Sequence, residues 1–242
     1  SLQNGKTRYT SNRGLKELRA CISKYINDRT GVKYDPETDI LVSVGGSEAI
    51  DAAVRTLVSP GDEVLIVEPS FVCYEPICRL AGGIPVALPT KAENSFRLTP
   101  SELQKHITPR TKALILPYPG NPTGAIMERS DLEAIAAVLR ETDIMVISDE
   151  IYSELTYTGD RHVSISCIDG MKERTVVVNG FSKTYSMTGW RLGYAYGPAP
   201  VIKQMTKIHQ FAIMSAPTTS QYAAIEAVSY THLRAHETLR HL

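Results

Sequence analysis

Short apolar runs separated by helix-forming stretches limit this chain more than any other feature. Ala113–Pro117 reads ALILP, without a polar side chain. A run so short and so apolar fits a strand covered on both faces, as in a parallel sheet. Asp39–Val44, Glu63–Glu68 (EVLIVE), Ile84–Leu88, Ile144–Ser148 and Val176–Val178 are comparable. Between them, apolar residues recur at helical spacing. Ala49, Ile50, Ala53, Val54 and Leu57 do so in Glu48–Val58, and Leu132, Ile135, Ala136 and Leu139 in a helix capped by Ser130–Glu133. Strand and helix alternate at least five times. The alternation predicts an α/β fold: a mainly parallel mixed sheet with helices on both faces, in three layers.

Local signals place further elements. Tyr9–Arg19 opens a helix capped by Ser11 or Asn12, with a stripe of Leu15, Leu18, Ile22 and Ile26. Pro69–Phe71 begins a helix that ends near Gly82–Gly83, and Thr99–Glu102 forms a capping box with proline at the first helical position. Leu192–Tyr196 reads as a strand and Thr218–Val228 as a helix. A length of 242 residues suits one large domain or two smaller ones. Lys and Arg (26) balance Asp and Glu (26), which argues for neither a nucleic-acid nor a membrane surface. No apolar run approaches the roughly 20 residues of a membrane span. The four cysteines have no metal-ligand spacing and read as reduced thiols of a cytoplasmic protein.

The chemistry gathers just beyond the strand ends. Gly45-Gly46-Ser47 lies between a strand and a helix start, where free N–H groups and the helix dipole favour an anion. Asp149 ends an apolar strand, so it needs a partner or water. Lys183 follows the Val176–Val178 strand, and Arg191 comes eight residues later. A partly desolvated lysine can lose its proton and form Schiff bases. A nearby arginine supplies a fixed charged fork for a phosphate. Lysine plus phosphate clamp is what pyridoxal phosphate (PLP) requires. Gly46, Asn121, Asp149 and Lys183 all fall where open α/β sheets bind ligands. Taken singly, each residue has a plainer reading. Lys183 can be a solvated lysine, Phe71 core, Asn121 part of a turn, Asp149 a helix cap and Tyr9 an aromatic staple before a helix.

Together, the segment SKTYSMTGWRLGY, the run PGNPTG at Pro119–Gly124, the Gly-Gly-Ser turn and Asp149-Glu150-Ile151-Tyr152 resemble fold type I PLP-dependent aminotransferases of class I/II, the aspartate aminotransferase-like family. The resemblance runs from about Tyr9 to about Val228. It implies the large domain of the PLP-transferase fold, with PLP on Lys183, which also moves the substrate proton. By the same resemblance, Asp149 bonds the pyridinium nitrogen, Asn121 and Tyr152 the phenolic oxygen, and Phe71 stacks on the ring. Gly46, Ser47 and Arg191 take the phosphate, Ser182 also contacts the cofactor, and Tyr9 reaches the neighbouring subunit's phosphate. The implied activity moves an amino group from an amino acid to a 2-oxo acid, in a homodimer and without a metal. A PLP-dependent carbon–sulfur β-lyase and a PLP-binding sensor domain of a transcription regulator are the competing readings.

The sequence departs from that pattern at two places. Gly180 stands where some members carry a phosphate-binding serine. Beyond Val228, SYTHLRAHETLRHL has irregular apolar spacing and three of the six histidines. The expectation is an incomplete large domain over residues 1–228, lacking a short N-terminal segment and the C-terminal small domain that carries the substrate carboxylate's arginine. Residues 229–242 then form an unrelated read-through tail, with a natural divergent tail as the alternative.

Overall fold

The computed structural model describes residues 3–157, 159 and 161–237. Its strands are β1 (Ile40–Ser43), β2 (Glu63–Glu68), β3 (Ile84–Pro89), β4 (Thr111–Leu116), β5 (Met145–Asp149), β6 (Thr175–Gly180) and β7 (Gly193–Tyr196). They form one sheet in the order β1-β7-β6-β5-β4-β2-β3. Strands β3, β2, β4, β5 and β6 run parallel, and β7 is antiparallel to both β6 and β1. The mainly parallel mixed sheet expected from the apolar runs is therefore present.

The helices are α1 (Lys16–Thr30), α2 (Gly46–Leu57), α3 (Tyr74–Leu80), α4 (Pro100–His106), α5 (Arg129–Arg140), α6 (Ala199–Ala212) and α7 (Thr218–Glu237). Alternate strand residues face opposite layers. Val176 and Val178 pack with Ile50, Val54, Ile77, Ile202 and Met205 of α2, α3 and α6. Val177 faces the other way, toward Leu18, Ile22 and Ile26 of α1 and Ala224 of α7. Leu114, Leu116 and Val146 share that second side with Leu103 of α4 and Leu132, Ile135 and Leu139 of α5.

Several helix ends differ from expectation. Neither Ser11 nor Asn12 caps α1, whose N-cap is Leu15 with no side-chain cap of its own. Instead, Leu15 N–H donates to Gln221 Oε1 of α7 at 2.7 Å. The cap comes from 206 residues away, where no local pattern can reveal it. Helix α5 is capped by Glu128, which forms a reciprocal box with Asp131 in place of Ser130–Glu133. Helix α3 starts at Tyr74 rather than near Pro69. Thr99 does cap α4, accepting from Glu102 N–H at 3.3 Å. Helix α7 continues past Val228 to Glu237, and residues 238–242 of the expected tail lie outside the described residues.

Candidate functional site

The C-terminal ends of the parallel strands open into a cavity of about 270 Å³. Gly46, Ser47, Phe71, Asn121, Asp149, Tyr152, Ser182, Lys183 and Arg191 all line it. Tyr9 does not: it is 87% exposed and outside this wall.

One end of the cavity is electropositive by construction. β1 turns into α2 through Gly45, whose φ of 83° suits glycine. Helix α2 begins at Gly46, two residues before the expected Glu48, so the first-turn N–H groups of Gly46 and Ser47 lack intrahelical acceptors. Arg191 adopts the left-handed conformation (φ 48°), and its guanidinium lies over Gly45. A Cβ on Gly45 would sit 2.6 Å from Arg191 Nη2. Arg191 Nη1 donates to Thr188 O at 3.0 Å, and no carboxylate pairs with the guanidinium among the described residues. A helix N-terminus and an arginine facing one space together favour an anion.

The other end centres on Asp149, the last residue of β5 and 7% exposed. Its Oδ2 accepts from Tyr74 Oη at 2.7 Å, and its Oδ1 from Ile151 N–H at 3.2 Å. Burial pushes the carboxyl above the ordinary aspartate range despite these bonds, and nearby Glu150 adds to the rise. Lys183 Nζ stands 5.5 Å from the centre of the Tyr152 ring, a cation–π contact. Asn121 is held in a loop tied by Gly120 N–H to Ala125 O and Gly124 N–H to Gly120 O, each 2.8 Å. Phe71 is exposed, and its ring meets Tyr74 edge-on with centroids 6.1 Å apart.

The sequence reading missed Tyr74. The available signal was the demand of a buried strand-end aspartate for a donor, but nothing local says which tyrosine supplies it. Gly180 has a local explanation. A Cβ there would lie 3.2 Å from Leu192 O and Gly193 Cα and 2.9 Å from Ile151 Cδ1, so a serine would crowd β7.

A second cavity, of about 240 Å³, lies beside α1. Its two carboxylates have protein partners: Glu154 pairs with Arg29 and accepts from Tyr25 Oη at 2.5 Å. Glu150 accepts from Ser164 Oγ at 2.6 Å and lies 3.1 Å from His162 Nε2. Among the described residues, no His, Cys, Asp and Glu cluster could hold a metal ion, and no helix is long and apolar enough to cross a membrane.

The sheet order and helix layers are those of the PLP-transferase α/β fold, as solved structures bear out. An aromatic aminotransferase from Pyrococcus horikoshii superposes with a TM-score of 0.94 at 44% identity, over 99% of this chain and 64% of that one. N-succinyldiaminopimelate aminotransferase from Mycobacterium tuberculosis gives 0.94 at 37% identity, over 99% of this chain and 62% of that one. The sequence profile of aminotransferase class I and II matches residues 1–241, and the chain belongs to that family. It is 45% identical to an aspartate aminotransferase of Pyrococcus abyssi and 43% identical to aromatic-amino-acid aminotransferase 2 of Thermococcus litoralis. Each match covers 94% of this chain. The chain spans 59% of the length of these two relatives.

Proposed function

We propose that this chain forms the cofactor-binding domain of a PLP-dependent aminotransferase that moves an amino group from an amino acid to a 2-oxo acid. The observation that carries this reading is one cavity joining Lys183, the buried Asp149 and an Arg191 that faces a helix N-terminus. The residues fit the group. The Arg191 end calls for an anion and the Asp149 end for a cationic donor, and a phosphorylated pyridine aldehyde offers both. When bound, PLP supplies an aldehyde and an electron-withdrawing ring that stabilises charge beside an amino-acid Cα.

The chain's residues divide the remaining work. Arg191, Ser47, Ser182 and the N–H groups of Gly46 and Ser47 hold the phosphate. Asn121 and Tyr152 hold the phenolic oxygen, and Phe71 covers the ring face. Asp149 accepts from the ring nitrogen and keeps it protonated. Lys183 Nζ would anchor the cofactor and, once freed, would serve as the general acid/base that carries the proton between the substrate Cα and the cofactor's C4′. In the whole protein, which we read as a cytoplasmic homodimer, Tyr9 extends to the partner's phosphate.

The test is to titrate the chain with PLP, reduce with borohydride and map the modified peptide. A visible band that borohydride bleaches, with the reduced adduct mapped to Lys183, is expected. Absence of an adduct, or one on another lysine, overturns the reading.

A further inference from the structure

Resting on that reading, we propose that Tyr74 is a positioning residue for Asp149. Its hydroxyl fixes one carboxylate oxygen, so that Asp149 stays charged and aimed for a cationic ring nitrogen.

The geometry is specific. Tyr74 is the first residue of α3 and 2% exposed, yet its one polar atom donates to Asp149 Oδ2 at 2.7 Å. Asp149's other protein donor is the backbone N–H of Ile151, at a longer 3.2 Å. A buried carboxylate without strong donors reverts to its neutral form. A carboxylate can accept about four hydrogen bonds, so these two leave room for a ring N–H. Tyr74 itself is held by the edge-on contact with Phe71.

The direction of the bond is also fixed. Burial and the Asp149 charge raise the Tyr74 phenol far above its ordinary value, so it remains the donor. The other groups facing this pair are Cys73, Glu150, Tyr152, Lys183 and Arg191. Burial and Asp149 push the Cys73 thiol up to about 12, so it stays neutral. Glu150 is occupied with Ser148, Ser164 and His162. Lys183 and Arg191 line the cavity, but no hydrogen bond joins either to Asp149 among the described residues. Tyr74 is thus the side chain that holds the charged form by direct contact.

The test compares the wild-type chain, Tyr74→Phe and Asp149→Asn. The first measurement needs no cofactor. ¹³Cγ-aspartate NMR follows the Asp149 carboxyl titration, with Asp149→Asn assigning the resonance. Tyr74→Phe is expected to move the midpoint to higher pH, and an unmoved midpoint overturns the proposal. The second compares binding of PLP with binding of its ring analogue that has carbon in place of the pyridine nitrogen. Loss of a hydrogen bond to a charged group predicts roughly tenfold weaker PLP binding. Analogue binding should be unchanged. Equal loss of both ligands would mean that Tyr74 only packs. Fluorotyrosine at position 74 keeps the shape and strengthens the donor, so it should lower the carboxyl midpoint even where the Phe variant folds poorly; no lowering counts against the proposal. If the wild-type chain binds neither ligand, the cofactor reading fails, while the carboxyl titration still judges Tyr74.

Discussion

Gly193 lies against Gly45 so closely that a Cβ on Gly193 would stand 2.6 Å from the Gly45 carbonyl carbon and 2.8 Å from Gly46 N. The backbone of β7 is thereby the floor of the anion-favouring turn. The obstructing atoms are main chain, with no flexible side chain to yield. Gly193→Ala should destabilise the chain by about 1–3 kcal/mol through overpacking. It should also weaken PLP uptake by displacing the turn. Urea unfolding and cofactor titration measure the two effects, and an unchanged urea midpoint would contradict the packing described.

Lys183→Ala should abolish the borohydride-stable adduct while leaving the fold intact, because the side chain lies at a cavity mouth and not in the core. Retained covalent PLP in the variant would place the anchor elsewhere.

Asp149 should make the cofactor-free chain less stable at neutral pH. Its folded-state carboxyl titrates above the ordinary aspartate value, so ionisation disfavours the folded state. The penalty is absent below the unfolded-state value and complete above the folded-state value. Asp149→Asn should therefore raise the urea midpoint at pH 7, with the gain vanishing toward pH 3. In the whole protein the same variant should lose most amino-group transfer. A variant less stable than wild type at pH 7 would show that the charge is fully compensated before any cofactor arrives.

Glu63 behaves oppositely. The Thr108 hydroxyl donates to its carboxylate at 2.6 Å, and the Arg110 guanidinium adds a 2.6 Å contact. Together they hold the carboxyl below the ordinary glutamate range. That stabilisation is present above the unfolded-state value and is lost as pH falls through the folded-state value. Glu63→Gln should lower stability at pH 7 and flatten the decline between pH 5 and 3. Parallel profiles for the two proteins would remove the linkage.

Gln221→Ala should cost about 1–3 kcal/mol by leaving Leu15 N–H without its acceptor. The glutamine also donates to Ala216 O at 2.8 Å, so the loss should fall on both ends of the α1–α7 contact. Hydrogen exchange at Leu15 should accelerate in the variant, and unchanged exchange would show that another acceptor takes over.

What was legible in the sequence follows from the range of each interaction. Runs such as ALILP and the stripe Leu132, Ile135, Ala136 and Leu139 carry their burial in their own spacing, and strands and inner faces appeared where expected. Gly46, Asp149, Lys183 and Arg191 were legible because each sits at a strand end or a short turn beyond one, whereas Phe71, Asn121, Tyr152 and Ser182 were singled out only by the family resemblance. Tyr74 and Gln221 were not, since their partners Asp149 and Leu15 are 75 and 206 residues away. The start of α2 at Gly46 was missed because glycine is a poor helix former, and here the turn's geometry outweighs propensity.

Strand order also sets a timetable. β1 pairs with β7, and Ser43 meets Gly193, 150 residues further along the chain. At roughly 5–20 residues per second, a ribosome needs about 8–30 s to supply that partner. Until then β1 is an unpaired edge and the Gly45–Gly46 turn has no floor. The nascent chain can pair β2 with β3 and β4 early, but its anion cradle closes only after Lys183 has emerged. A growing chain therefore carries its lysine before it can grip a phosphate, and a firm hold on an anion waits for β7.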